Sequence, residues 1–186
     1  MEARYPPRVP RVPITVLFVC TANICRSAYA EVAARHLAGS RTDVVFSSAG
    51  THGYVSQPMD AEMAQFLPEG GAHDGFASRR VTRDLIDSAD LVLTAEASHR
   101  TFLLEEYPHA FRKVLTLGQF AEAAGGSELR GRELITAVGL RQPPARPEGD
   151  VRDPYRRGRA ANARSAAQID ELLTIVVPAL FDVDPG

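Results

Sequence analysis

The sequence predicts an α/β fold: a doubly wound three-layer sandwich about a central four-stranded parallel sheet. Three observations carry this expectation. Four short apolar runs alternate with helix-like segments along the chain. The best of these runs, 14–19, is a continuous β-branched and aromatic stretch instead of one alternating with polar residues, which suits a strand buried on both faces. The 186 residues, 45% of them hydrophobic, suffice for one domain with a sizeable core and are few for two.

Taken in order, residues 1–13 are rich in proline and arginine and lack the apolar stretch of a signal peptide. They read as a flexible leader ahead of a single domain over 14–182. The β-branched and aromatic run 14–19 predicts the first strand, and 20–27 the loop after it. The alanine-rich stretch 27–37 predicts a helix that stops at Gly39. A second strand is expected at 44–46, leading into Ser48-Ala49-Gly50-Thr51, and a helix at 60–67. Residues 82–88 have helical character, and 90–94 read as a third strand. The next helix, 97–106, must stop before Pro108. A fourth strand is expected at 113–117. From about 121 to 149 the pattern weakens around Gly125-Gly126 and Pro143-Pro144, so this part reads as a surface insertion holding one short helix near 133–138. A long amphipathic helix covers 160–180, with an end or kink expected near Val177 because Pro178 lacks an N–H.

Composition excludes several function classes. A formal net charge of −2 argues against a general nucleic-acid or membrane-surface binder. No apolar run reaches the length of a membrane span. Cys20 and Cys25 are too few for a secreted disulfide framework and lack the C-x-x-C spacing of a zinc site, and the five histidines are scattered. The expected compartment is the cytoplasm, with no cofactor and no metal.

The chemistry concentrates in Cys20-Thr21-Ala22-Asn23-Ile24-Cys25-Arg26-Ser27, between a predicted buried strand and a predicted helix. In a doubly wound sheet, ligands bind beyond the carboxyl ends of the strands. A loop entering a helix turns several backbone N–H groups into one concavity, and the positive field there favours an anion, whether a phosphate or a thiolate. The five residues between Cys20 and Arg26 are enough to curl around one tetrahedral anion, and the guanidinium can close the ring with a bidentate fork. Ser27 is placed to donate a hydrogen bond to the Cys20 sulfur, and Asn23 suits a left-handed turn that braces the loop. Cysteine followed six residues later by arginine is common by chance; the strand before, the helix after and the adjacent serine set this pair apart. Asp153-Pro154-Tyr155 supplies the best proton donor for a leaving oxygen, since proline holds the aspartate in a rigid turn. Asp184-Pro185 reads as an ordinary terminal turn.

The run Val16 to Ser27 resembles the strand and phosphate loop of the low-molecular-weight protein tyrosine phosphatases, and Ser48-Ala49-Gly50-Thr51, Asp90-Leu91-Val92-Leu93 and Asp153-Pro154-Tyr155 follow in the family's order. The resemblance spans most of 14–180. It implies a phosphomonoester hydrolase with Cys20 as nucleophile, Arg26 binding phosphate, and Asp153 as general acid and then base. Thr21, Ala22, Asn23, Ile24 and Cys25 would supply the binding loop, with Asn23, Ser27 and Ser48 as a polar network beneath it. Tyr54 and Tyr155 would wall the substrate slot, although each tyrosine taken alone fits a half-buried loop edge better. The implied substrates are a phosphorylated protein or a small phosphomonoester.

The sequence also departs from the family. Ala22 stands where glycine is usual, Ala28 where proline is, Phe76 at the place of a histidine that often joins the network, and Arg156 where many members have a second aromatic. Cys25 reads either as a small buried residue or as the partner of Cys20 in a reversible disulfide. Three alternatives stay open. One is an arsenate reductase using an external thiol, there being no cysteine after Cys25 for a thioredoxin-coupled route. Another is a protein arginine phosphatase, in which threonine commonly replaces Ile24. The third is a non-catalytic phosphate-binding module.

Overall fold

Four parallel strands lie in the order β2-β1-β3-β4: β1 (Ile14–Cys20), β2 (Val44–Gly50), β3 (Leu91–Thr94) and β4 (Val114–Thr116). This is the predicted four-stranded α/β sandwich. The computed structural model describes residues 12–182 except Gly70 and Ala72. Of the expected leader only Val12 and Pro13 are described; the remainder, with Asp184-Pro185, lies outside the described residues.

The central strand shows why its sequence is apolar from Val16 onward. Val16 and Phe18 face a core shared with α1 (Arg26–Ala38), α5 (Leu117–Gly125) and α7 (Arg159–Leu180). Leu17 and Val19 face the opposite core, with Ile86 of α3 (Arg83–Ser88) and Leu103 of α4 (Ala97–Glu106). Phe18 stacks on Phe46 of the neighbouring strand, ring centroids 6.1 Å apart; burying one such ring stabilises the fold by roughly 1.5–3 kcal/mol. Strand β2 runs four residues past its expected end, because its second half stays in register with β1 as far as the pair Cys20 and Gly50. That register brings Ser48 and Gly50 beside the start of the loop.

Four expectations need correction. Leu117, read as strand, begins α5: the Thr116 hydroxyl accepts the Gln119 N–H at 3.0 Å, and the Gln119 side chain accepts the Thr116 N–H at 2.8 Å. This reciprocal capping box fixes the helix start. Segment 121–149 is more than a surface insertion. It holds the end of α5 and all of α6 (Gly131–Arg141), and it puts Ala121, Ala124, Leu134, Ile135 and Val138 into the core. The helix expected at 60–67 shrinks to α2 (Ala61–Ala64), since Phe66 and Leu67 tighten onto the carbonyls of Met63 and Ala64 ahead of Pro68. Pro178 does not end α7, which continues to Leu180; in the last turn a proline forfeits only one N–H bond.

Candidate active site

Strand β1 delivers Cys20, and α1 begins six residues later at Arg26. The residue before the helix, Cys25, makes no side-chain cap, so no side chain competes for the N–H groups that the loop gathers there. Asn23 takes the left-handed conformation at φ +57°, which turns the chain back on itself. From that position its side-chain amide donates to Ser27 Oγ at 3.0 Å and to Ser48 Oγ at 2.8 Å, and its carbonyl accepts the Arg79 N–H. Ser27 Oγ lies 3.0 Å from Cys20 Sγ. One polar chain therefore runs beneath the loop from the sulfur through Ser27 and Asn23 to Ser48, and on to the buried Glu31 carboxylate at 2.5 Å. Arg35 pairs with Glu31 on the far side.

The segment after β2 clamps the loop from outside. The N–H groups of Thr51 and His52 bond the carbonyls of Cys20 and Thr21 at 2.9 and 2.8 Å. A side chain at Gly53 would sit 2.9 Å from Ala22 Cα, so this approach requires glycine, as does its φ of +102°. Ala22 is accommodated with its methyl against that glycine. Ile24 is buried in the core, and its carbonyl accepts the Asp60 N–H at the start of α2. Burial, reinforced by the Asp60 charge, pushes the Cys25 thiol well up, so it stays protonated.

Arg26 is 3% exposed, and its guanidinium is held by groups from two distant parts of the chain. One terminal nitrogen donates to Glu96 Oε1 at 2.8 Å and to the Val151 carbonyl at 3.0 Å. The other is 3.3 Å from Asp153 Oδ1. Asp153 thus reaches the loop from the turn before α7, where the Tyr155 N–H also bonds its carboxylate. Asp150, three residues earlier, is occupied elsewhere: it accepts the Ala97 N–H at 2.9 Å in the first turn of α4. Burial raises its pKa above the usual carboxylate value, making it a weaker acid.

Thr21 is exposed at the loop mouth, and its hydroxyl is 2.8 Å from Nε2 of the buried His99. His99 Nδ1 and Arg26 Nε are buried without a hydrogen-bond partner among the described residues. Burial first, then the Arg26 charge, lowers the His99 pKa to about 4, which keeps the ring neutral.

The structure therefore links Cys20, Ser27, Asn23 and Ser48 in one polar chain and brings Arg26 and Asp153 together beside it. Tyr54 is 56% exposed, and only its carbonyl is fixed, by Ser78 Oγ. Tyr155 is half-buried against the core, with the Arg156 guanidinium 5.1 Å over its ring. Phe76 takes no part in the polar chain; it packs with Ala28, Val32 and Met59, and Glu31 and Arg79 supply the polar contacts instead. Glu31, Arg79, Glu96 and His99 were missed by the sequence reading. Glu31 alone had a signal, one helical turn beyond Ser27 on the same face.

Residues 15–130 match the profile of a family described as low molecular weight phosphotyrosine protein phosphatase. The match stops before Asp153. The low molecular weight protein-tyrosine-phosphatase Etp of Escherichia coli K12 is 35% identical over 109 residues, 58% of this chain and 72% of that one. The protein-arginine-phosphatase of Geobacillus stearothermophilus is 32% identical over 117 residues, 62% and 76% of the two chains. Among solved structures, the low molecular weight protein tyrosine phosphatase of T. tengcongensis superposes with a TM-score of 0.70 at 25% identity, covering 89% of this chain and 98% of that one.

Proposed function

The chain belongs to the low molecular weight phosphotyrosine protein phosphatase family, and from that premise we propose that it hydrolyses phosphotyrosine in proteins through a phosphocysteine on Cys20. The observation that carries this reading is the Ser27 hydroxyl 3.0 Å from Cys20 Sγ, in a loop whose Arg26 also meets Asp153 at 3.3 Å. On this reading β1 supplies the nucleophile, α1 the anion receptor and the turn before α7 the proton donor.

In the proposed mechanism the loop N–H groups and the Arg26 fork bind the phosphoryl oxygens. Cys20 Sγ then attacks phosphorus while Asp153 passes its proton to the departing phenolic oxygen. A sulfur–phosphorus bond forms as the oxygen–phosphorus bond breaks. In the second step Asp153 takes a proton from water, which attacks the phosphocysteine. The Ser27 hydroxyl stabilises the thiolate that leaves. The chain needs no cofactor in this scheme. No helix among the described residues is long and apolar enough to cross a membrane, and a cytoplasmic location fits the reduced Cys20 the scheme requires.

A second reading, phosphoarginine as substrate, is favoured by the likeness to the Geobacillus stearothermophilus protein-arginine-phosphatase. The apolar Ile24 at the loop favours an aryl ester over it. The deciding experiment is a steady-state comparison of an aryl phosphate, phosphoarginine and arsenate on the purified protein, alongside Cys20→Ser. The expected result is turnover of the aryl phosphate, abolished in Cys20→Ser with phosphate binding retained. Faster release from phosphoarginine would change the substrate class, and thiol-dependent arsenate reduction the reaction class. Wild-type turnover in Cys20→Ser would remove the covalent mechanism.

A further inference from the structure

Four arginines, Arg152, Arg156, Arg157 and Arg159, fall within the eight residues that contain Asp153 and Tyr155. Asp153 reaches Arg26, so this turn forms one side of the mouth of the site. Arg156 is fixed there by the backbone: it holds the left-handed conformation at φ +56°, the Arg157 N–H closes the turn onto the Pro154 carbonyl, and the Arg156 guanidinium lies over the Tyr155 ring. On the other side, Arg80 Nε donates to the Gly53 carbonyl at 3.1 Å, and Gly53 is the residue pressed against Ala22 of the loop.

These side chains are exposed. Arg26, Arg35, Arg41, Arg83, Arg132 and Arg146 each pair with a carboxylate. Within the described residues Arg80, Arg152, Arg156, Arg157 and Arg159 belong to the arginines that pair with none. The nearby carboxylates are engaged inward, Asp153 and Glu96 on Arg26 and Asp150 at the start of α4. In a chain of net charge −2 this is a local concentration of positive charge.

We propose that this cationic collar selects phosphorylated protein segments that carry carboxylates or further phosphates beside the scissile group. The inference rests on the phosphatase reading above and narrows its substrate class. A phosphate ester no larger than an aryl phosphate is filled by the loop alone, so charge placed beyond the loop acts only on a substrate that extends past its phosphate. The arginines sit on two separate turns, one meeting Arg26 through Asp153 and the other beside Gly53 and Ala22, which suits a short extended peptide better than a nucleic-acid strand tracked along its backbone.

The test measures kcat/KM on an aryl phosphate and on two phosphotyrosyl peptides, one flanked by glutamates and one by serines. The proteins are wild type, Arg152→Ser/Arg156→Asn and Arg80→Gln; asparagine retains access to the left-handed conformation at position 156. Exposed ion pairs are each worth up to about fivefold. Wild type should favour the acidic peptide about three- to tenfold, and the preference should shrink with added salt as the charges are screened. The double variant should bring the preference to within about twofold while changing aryl phosphate turnover by less than about twofold, which also certifies its fold. Equal rates for the two peptides in wild type, or a preference that survives both salt and substitution, overturns the collar. Competition by single-stranded DNA as strong as that by the acidic peptide overturns its assignment to proteins. Failure to hydrolyse any of the three substrates sinks the phosphatase reading instead.

Discussion

Arg26, at the head of α1, and Glu96, at the head of α4, meet at 2.8 Å across 70 residues of sequence. A buried guanidinium needs such an anion, and the direction of the contact fixes the plane of the fork. Glu96→Gln keeps a hydrogen-bond acceptor but removes the charge, and kcat on an aryl phosphate should fall about tenfold. Glu96→Ala should fall further, on the order of 10². Wild-type kcat in both variants would show that Glu96 does not position the guanidinium.

Asp153→Asn should slow hydrolysis most for esters with poor leaving groups, because these depend on protonation of the departing oxygen. An activated aryl phosphate should suffer less. The basic limb of the pH–rate profile, which reports the protonated acid, should flatten while the acid limb remains. Equal slowing of good and poor leaving groups, with the basic limb unchanged, counts against Asp153. Asp150 is a weak substitute, since its carboxylate is occupied by the Ala97 N–H.

His99 makes the fold sensitive to acid. Its pKa is about 4 in the folded protein, against an ordinary value of 6.5. Between those values the unfolded chain binds the proton that the folded chain refuses, so stability rises with pH through this window. The part due to His99 is fully present above about pH 6.5 and is gone below about pH 4, amounting to at most about 3 kcal/mol. Urea unfolding from pH 4 to 7 should show this slope in the wild type and a shallower one in His99→Asn. Parallel curves would mean that His99 titrates normally in the fold.

Tyr29, fully buried in α1, donates within reach of both Asp170 oxygens at 3.1 and 3.0 Å and of the Phe66 carbonyl at 2.8 Å. It ties α1 to α7 and to the end of the α2 turn. Tyr29→Phe keeps the ring and leaves those acceptors without their donor, which should cost about 1–3 kcal/mol in denaturant unfolding with little effect on KM. A loss below about 0.5 kcal/mol would mean that water replaces the hydroxyl.

The parts of the fold legible in the sequence were those written in short-range pattern. Residues 14–19 suit a strand buried on both sides, and Cys20 to Ser27 carry their own strand–loop–helix context. The start of α5 was also written there, as Thr116 followed three residues later by Gln119, but Leu117 was drawn into the apolar run before it. Residues 133–138 showed their helix, yet not that Leu134 and Val138 enter the core, because glycines and prolines on either side obscured the period. The groups around Arg26 were illegible for a different reason. Glu96, His99 and Val151 stand at no motif spacing from Arg26, and only the packing of α4 and of the turn before α7 brings them there.

The dependence of Arg26 on late-made chain has a consequence for biosynthesis. The Val151 carbonyl that holds its guanidinium lies 125 residues downstream, and Asp153 lies beyond that. Synthesis proceeds from the N-terminus, so Cys20 and Arg26 leave the ribosome while those groups do not yet exist. A growing chain bears its thiol on a loop whose guanidinium is not yet aimed. On the mechanism proposed above, full reactivity requires that the segment before α7 has been made and docked.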